Sequence, residues 1–299
     1  MAISTLRAQD KSRKYFIRIF SIIPISFYTL FLVIPLIIGV VLSFFSWKGL
    51  SLKISFVGLK NFKELFSDAV FFKALYNHMW VFISNTLIVF VLALTAAIVL
   101  SRSMLREKNF YRVIYFFPTT VPMAVINAVW MGIYNPTAGV LNSILSLFGV
   151  AAKDWLGFEL VKGSVVAVMA WKAIGFYMVL FMAAISNIPD HFYEAAKLDG
   201  CGEFRQTFII TIPLIWEVIR TSLVFFVVTS CSVGFQVVYM LTRGGPDRSS
   251  ELLTTYMYQQ AFNFNKFGYG AAIGVAILCI TMVLSFLILK LTDREVYEY

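Results

Sequence analysis

The chain has 299 residues, of which 60% are hydrophobic and only 14% charged, with a mean hydropathy of +0.81. Soluble domains carry about a quarter charged residues, so this composition excludes an ordinary soluble enzyme and places the chain among polytopic membrane proteins. The net charge of +9 then reads as cations beside an anionic leaflet, not as a nucleic-acid surface.

The basic N-terminus, MAISTLRAQDKSRKYFIRIF, runs into a long apolar segment without a small-residue cleavage site. It is expected to be a retained first span and not a cleaved signal peptide. A helix needs roughly 20 apolar residues to cross a bilayer core. Six segments satisfy this: Ile19–Phe45, Trp80–Leu100, Val113–Tyr134, Ser164–Asn187, Leu214–Leu241 and Gly270–Leu291. The expected fold is therefore an all-α integral membrane protein with six transmembrane helices, a single domain over 1–299. Between the first two spans, KNFKELFSDAVFFKALYNHMW has apolar residues at roughly helical spacing and is expected to lie flat at the interface before the second span.

The third span contains Pro118 and Pro122. Such prolines are tolerated where neighbouring groups or water satisfy the freed carbonyls, commonly beside a cavity. Thr119, Met123 and Asn127 follow at i, i+4 and i+8 on one face beside them. In the fourth span Lys172 is an ionisable group inside a membrane helix, hence a functional candidate. Two readings stand for it: a pathway residue that donates to sugar hydroxyls or attracts an anionic substituent, or a buried cation bonded to backbone carbonyls or to a neighbouring subunit. In the fifth span the run TSCSVGFQ, Thr229–Gln236, sits at about the depth of Lys172 and favours a lined cavity, though small polar residues also serve as interhelical glue. Cys231 and Gly234 share a face there. Trp171, Phe176, Phe235 and Tyr239 could stack on sugar rings, but a chain with 30 Phe and 14 Tyr must use most of them against lipid or other helices. Glu217 and Arg220 at i, i+3 are expected to pair with each other.

Between the fourth and fifth spans lies a polar segment, 189–213, with YEAAKLDGCGEFRQTFIITIPL at its heart. Pro189–Asp190 start a short helix in which Phe192, Tyr193, Ala196 and Leu198 form a partly apolar face. Gly200 and Gly202 allow a sharp turn. Phe204, Phe208 and Ile209 then form a second stripe, closed by Pro213. The residues alone leave two readings, a helix resting on lipid or a rigid knob for another protein.

Orientation comes from Lys and Arg. Arg7, Lys11, Arg13, Lys14 and Arg18 crowd the N-terminal tail, Arg102, Arg106, Lys108 and Arg112 crowd one short loop, and Lys197, Arg205, Lys290 and Arg294 fall on the same side. That density beside the spans gives N-in and C-in, with segment 189–213 cytoplasmic. Cys201, Cys231 and Cys279 form no metal or redox spacing, and the two histidines, His78 and His191, are far apart. No metal site and no catalytic cluster is expected, and there is no G-x-x-x-x-G-K-[ST] phosphate loop.

Glu194-Ala195-Ala196, then Gly200, Ile210 and Ile212-Pro213, resembles the EAA signature of permease subunits of binding-protein-dependent ABC importers, with Ile212 at a position that is usually Leu. YRVIYFFPTTVPMAVINAVWMGIYNPTAGVLNSIL and YMLTRGGPDRSSELLTTYMYQQAF are similar to the carbohydrate-uptake branch, the oligosaccharide and glycerol-phosphate type related to the maltose permease. The resemblance covers about 15 to 295. It implies a bacterial inner-membrane subunit that forms half of a sugar pathway. Its EAA helix would dock in a cleft on a partner ATPase, with Glu194 as charged anchor, Ala195 and Ala196 allowing close approach, Asp199 and Gly200 at the turn, and Phe204 and Phe208 filling apolar hollows. It implies as partners a second permease, two ATPase subunits carrying ATP and magnesium, and an extracellular solute-binding protein. That protein would meet the loops near Asn135–Gly139 and Gly244–Arg248. The pathway residues expected from depth and helix face are Thr119, Met123, Asn127, Trp171, Lys172, Phe176, Cys231, Gly234 and Phe235. A stand-alone carrier or channel is the alternative, but no internal repeat supports it.

Overall fold

The computed structural model describes residues 18–49, 53–102 and 107–293. Of the basic residues used for orientation, Arg7, Lys11, Arg13, Lys14, Arg106 and Arg294 lie outside the described residues. The chain divides into two units.

The first unit comprises the described residues to Ser67 together with Gln259–Ala276. It holds helix α1 (Arg18–Leu42), whose side chains are largely exposed. A two-stranded antiparallel ribbon follows, β1 (Phe45–Trp47) and β2 (Ile54–Phe56), with Phe45 opposite Phe56 and Trp47 opposite Ile54. This ribbon departs from the purely helical expectation. Phe45 and Phe56 explain it: their rings meet edge-on at 5.3 Å, an aromatic cross-strand pair of the kind that stabilises short ribbons. Helix α2 (Lys60–Ser67) is tied back by Asn61, whose Nδ2 donates to Ser43 O at 2.8 Å and Phe45 O at 3.0 Å.

The second unit comprises Asp68–Tyr258 and the described residues from Ile277. Helix α3 runs unbroken from Ala69 to Arg102. The expected interfacial helix therefore ends at Ser67, and the second span begins at Ala69, eleven positions before Trp80. Asp68 supplies the reason: its Oδ1 accepts from Val70 N at 2.8 Å, an N-terminal cap that starts a new helix there. Ala74, Val81, Asn85, Val89, Ala93 and Ala97 form the buried stripe of α3, nearly all at a spacing of four. Such small residues let helix backbones approach closely in lipid. The stripe meets α7 (Val161–Ser186), with Met178 and Phe181 in the seam, and Phe226 of α10 (Trp216–Leu241) completes the cluster.

The third expected span is broken. Helix α4 (Lys108–Thr120) and helix α5 (Met123–Ile133) meet at 103°. Val121 precedes a proline, which drives it out of helical geometry, and it is extended at φ −78°, ψ 134°. Pro118 is accommodated inside α4 without breaking it. Helix α6 (Val140–Leu147) follows, then α7. Beyond α7 come α8 (His191–Leu198), one turn α9 (Glu203–Gln206), a π-helical turn Thr207–Thr211, and α10. Helix α11 (Leu253–Tyr258) precedes α12 (Phe267–Leu291). Five of these helices, α1, α3, α7, α10 and α12, are long and apolar enough to cross a membrane, and the bent α4–α5 pair brings the number to six if it counts as one span.

Helix α4 lies against α7 at Gly175, where a Cβ would stand 1.9 Å from Tyr115 O. No side chain fits without moving the backbone of α4. We predict that Gly175→Ala destabilises the protein by about 1–3 kcal/mol, the usual cost of overpacking. Gly163→Ala on the same helix, where nothing lies within 4 Å, should be neutral or slightly stabilising. Thermal melts of the two variants check this, and equal melting points would show that α4 shifts freely.

Candidate functional site: a clamped helix break and a buttressed polar knob

The break between α4 and α5 leaves carbonyls without helical partners, and in a membrane these must be satisfied internally. Lys172, on α7, does so. Its Nζ donates to Val121 O at 2.9 Å and Thr119 O at 3.3 Å, and Thr119 Oγ1 donates to Lys172 O at 3.2 Å. Of the two readings open for Lys172, the geometry is that of a cation bonded to backbone carbonyls. One turn into α5, Asn127 is buried, and its Nδ2 donates to Met123 O at 2.9 Å and Gln236 O at 3.4 Å, linking α5 to α10.

The nine expected pathway residues divide into separate groups. Thr119 and Lys172 meet at the break, while Met123 and Asn127 are buried against α10. Gly234 is closed over by Leu252 and Met169; a Cβ there would lie 3.0 Å from Leu252 Cδ1. Cys231 turns to His78, with Sγ 3.5 Å from Nε2, beside a gap of about 10 Å³. Phe176 packs on Phe225 and Tyr177. Trp171 meets Trp130 edge-on at 5.8 Å, and Phe235 stacks on Tyr239 at 5.4 Å with Tyr258 beside both. Glu217 and Arg220 pair at 3.2 Å, and Arg220 also reaches Asp293 at 3.3 Å and Leu289 O at 2.9 Å.

The segment between α7 and α10 is built from its turn outward. Helix α8 closes in a Schellman motif: Cys201 N donates to Ala196 O at 2.8 Å, Gly200 N donates to Lys197 O at 3.1 Å, and Gly200 has φ +73°. Gly202 does not share that conformation. It is extended, at φ −67° and ψ 159°, and starts α9. Gln206 is wholly buried; its Nε2 donates to Cys201 O at 2.7 Å and its Oε1 accepts from Arg102. Arg102, the last residue of α3, also donates to Glu203 O at 3.3 Å and lies 4.5 Å over the Tyr193 ring, while Tyr193 Oη is 3.1 Å from Thr211 Oγ1. Arg102, Tyr193 and Gln206 thus join the end of α3 to both limbs of the knob.

What the knob displays is different. Leu198 is 90% exposed and Phe204 80% exposed. Phe208 and Ile209 are also exposed, with Phe204 and Phe208 rings in edge contact at 5.1 Å. Glu194, Ala195, Asp199 and Gly200 are exposed, Ala196 is half-buried, and Pro213 is half-buried at the foot of α10.

Two further loops, after α5 and after α10, are equally fixed. Asn135 Oδ1 accepts from Thr137 N and Ala138 N, and Asn142 holds Pro136 O and Lys153 O through Nδ2. In the loop after α10, Asn77 Nδ2 donates to Arg248 O and Glu251 O, Lys73 Nζ donates to Asp247 O at 2.6 Å, and Thr255 donates to the buried carboxylate of Glu251.

Residues 90–296 match the model of the family described as binding-protein-dependent transport system inner membrane component. The chain belongs to that family. It is a permease subunit of an ABC importer, a membrane component and not itself an ATPase. The permease is 37% identical over 273 residues to the probable ABC transporter permease protein YurN of Bacillus subtilis, covering 90% of this chain and 93% of that protein. It is 34% identical over 285 residues to the diacetylchitobiose uptake system permease protein NgcF of Streptomyces coelicolor, covering 90% and 81%. Among solved structures, a chain of the bacterial alginate ABC transporter in complex with an alginate pentasaccharide-bound periplasmic protein shares the fold, with a TM-score of 0.84 over 96% of each chain at 22% identity.

Lys172→Met should lower the stability of the permease by about 1–3 kcal/mol, because two carbonyls lose a charged donor in an apolar setting, and leave the KM of transport within about twofold. Melting temperature and transport kinetics measured together test the assignment. A raised KM at unchanged stability would return Lys172 to the pathway.

Proposed function

We propose that this permease subunit serves an importer of sugars, with six spans, both termini in the cytoplasm of a bacterial cell, and segment 189–213 as its ATPase-coupling element. It would work beside a second, homologous permease, two ATPase subunits that bind ATP and magnesium, and an extracellular solute-binding protein. The likeness to a diacetylchitobiose permease over most of both chains supports the sugar class.

The observation that carries the coupling role is the contrast between the two sides of the knob. Its underside is locked to α3 by a buried glutamine and a stacked arginine, while Leu198 and Phe204 stand almost bare. Exposed apolar side chains on an otherwise polar, rigid segment are the mark of a docking surface. Closure of the ATPase pair would push on Phe204 and Phe208, with Glu194 and Asp199 facing cations on the ATPase. Gln206 and Arg102 would pass the displacement to α3, and the foot at Pro213 to α10.

The solute pathway would run along the faces of α5, α7 and α10. Lys172 would act beside it and not in it, as the clamp on the carbonyls of the α4–α5 break. Trp171 and the stacked Phe235–Tyr239 pair keep accessible ring surface, suited to stacking on a pyranose. The stiffened loops at Asn135–Gly139 and Gly244–Arg248 would receive the solute-binding protein.

Phe204→Asp tests the coupling element without touching the packed underside. The detergent-solubilised variant should fold normally but lose the ATPase on co-purification, weakening the contact by roughly tenfold or more, as for a central apolar anchor. Retention of the ATPase at wild-type stoichiometry would remove the knob from that interface. A wild-type chain that purifies alone and still moves solute would make it a self-sufficient carrier.

A further inference from the structure

The first unit contains a cavity of about 520 Å³, the size of a small-ligand site, that none of the transport roles uses. Its walls are the β1–β2 ribbon, α2 and the residues from Phe264 to Tyr269. Three lysines line it, Lys48, Lys60 and Lys266, with one carboxylate, Glu64. Glu64 is taken by Lys266 at 3.4 Å, and the same ammonium lies 5.9 Å over the Tyr269 ring. Lys48 and Lys60 have no carboxylate partner among the described residues. Two positive charges are thus left uncompensated in one concave site, beside the hydroxyls of Ser46 and Ser55 and the Trp47 ring.

The frame of this cavity is rigid and sits where two membrane helices end. Asn61 binds the carbonyls of Ser43 and Phe45, one and three residues beyond α1, and Gly268, the second residue of α12, passes so close to Phe45 O that a Cβ would stand 1.9 Å from it. Phe264 of the cavity wall is more than half exposed, and so are Phe56, Leu59, Phe66 and Phe262, which lie within two positions of wall residues in sequence. Bare apolar rings on the same elements as a cationic hollow, beside the end of α1 and the start of α12, suit the layering of a lipid interface, with rings among acyl chains and lysines at the phosphates. We propose that this cavity is a binding site for the phosphate-bearing headgroup of an anionic phospholipid, held by Lys48 and Lys60 with Lys266 as the wall.

The test is native mass spectrometry of the full-length protein released from detergent, titrated separately with palmitoyl-oleoyl phosphatidylglycerol and palmitoyl-oleoyl phosphatidylcholine. The wild type should prefer the anionic lipid by roughly tenfold or more, as two uncompensated lysines at a lipid surface require. The preference should shrink with added ammonium acetate. Lys48→Gln with Lys60→Gln should abolish it, Lys48→Arg with Lys60→Arg should preserve it, and Lys63→Gln, on the same helix but outside the cavity, should leave it unchanged. The arginine pair separates loss of charge from loss of folding. Equal binding of the two lipids, or a preference that survives the glutamine pair, overturns the proposal. So does displacement of phosphatidylglycerol by equimolar inorganic phosphate, which would make the site one for free anions. If the glutamine pair leaves lipid binding intact but weakens capture of the solute-binding protein, the cavity is a protein contact and the lipid assignment falls.

Discussion

A membrane helix can break only where something else meets the hydrogen-bonding needs of its backbone, and here that something is Lys172. Val121, forced extended by Pro122, opens a right-angled corner in the middle of an apolar segment. The ammonium of Lys172 occupies the corner and holds Thr119 and Val121 by their carbonyls. Without that bond the break would expose unpaired acceptors, and the chain would either straighten or admit water. With it, α5 is free to turn away from α4 and meet α10 through Asn127. The packing of α4, α5, α7 and α10 therefore hangs on one side chain and on Gly175, which lets α4 sit directly on the backbone of α7.

Rigidity elsewhere is bought by the same means, a buried polar side chain bonded to backbone carbonyls. Gln206 fixes the turn of the knob, Asn142 fixes the loop around Pro136, Asn77 fixes the loop after α10, and Asn61 fixes the ribbon to the end of α1. Each is an amide, which donates twice and accepts through one oxygen without carrying charge. In an apolar setting that avoids the desolvation cost of an ion. Where a charge is used, it is shared: Arg102 serves Gln206, Glu203 and the Tyr193 ring together, and Arg220 serves Glu217, Asp293 and Leu289. In the proposed importer such joints suit parts that must move as units, since a strut that bends cannot carry displacement from an ATPase to a span.

Much of this was legible from residue order. Hydropathy pointed to the apolar segments, because length and composition decide whether a helix can cross, but it placed the start of the second one eleven positions late. Gly200 announced the left-handed turn, since few other residues adopt it cheaply. Pro118 and Pro122 marked the third segment as irregular, but which proline breaks it depends on Val121, and the size of the bend depends on what α7 offers. The cap at Asp68, which moved the start of the second span back to Ala69, is a one-residue signal that a hydropathy window averages away. The ribbon between the first two spans was missed for a related reason, as three-residue strands have too little period to read. Least legible were the long-range partners. Arg102 and Gln206 are 104 positions apart, and nothing in either neighbourhood names the other.

Exposed apolar surface carries different information in different parts of this chain. Along α1 almost every large hydrophobic side chain is exposed, which in a lipid-facing helix says nothing about partners, because acyl chains are as apolar as leucine. On α8 and α9 the same exposure is informative, because those helices alternate with Glu194, Lys197, Asp199, Glu203 and Arg205. A segment with that many charges belongs to water, and a bare phenylalanine in water is unfavourable by its full apolar area. The proposed ATPase contact would remove that cost by covering it. The polar background around Phe204 and Leu198, more than the EAA letters themselves, is therefore what makes the knob readable as half of an interface.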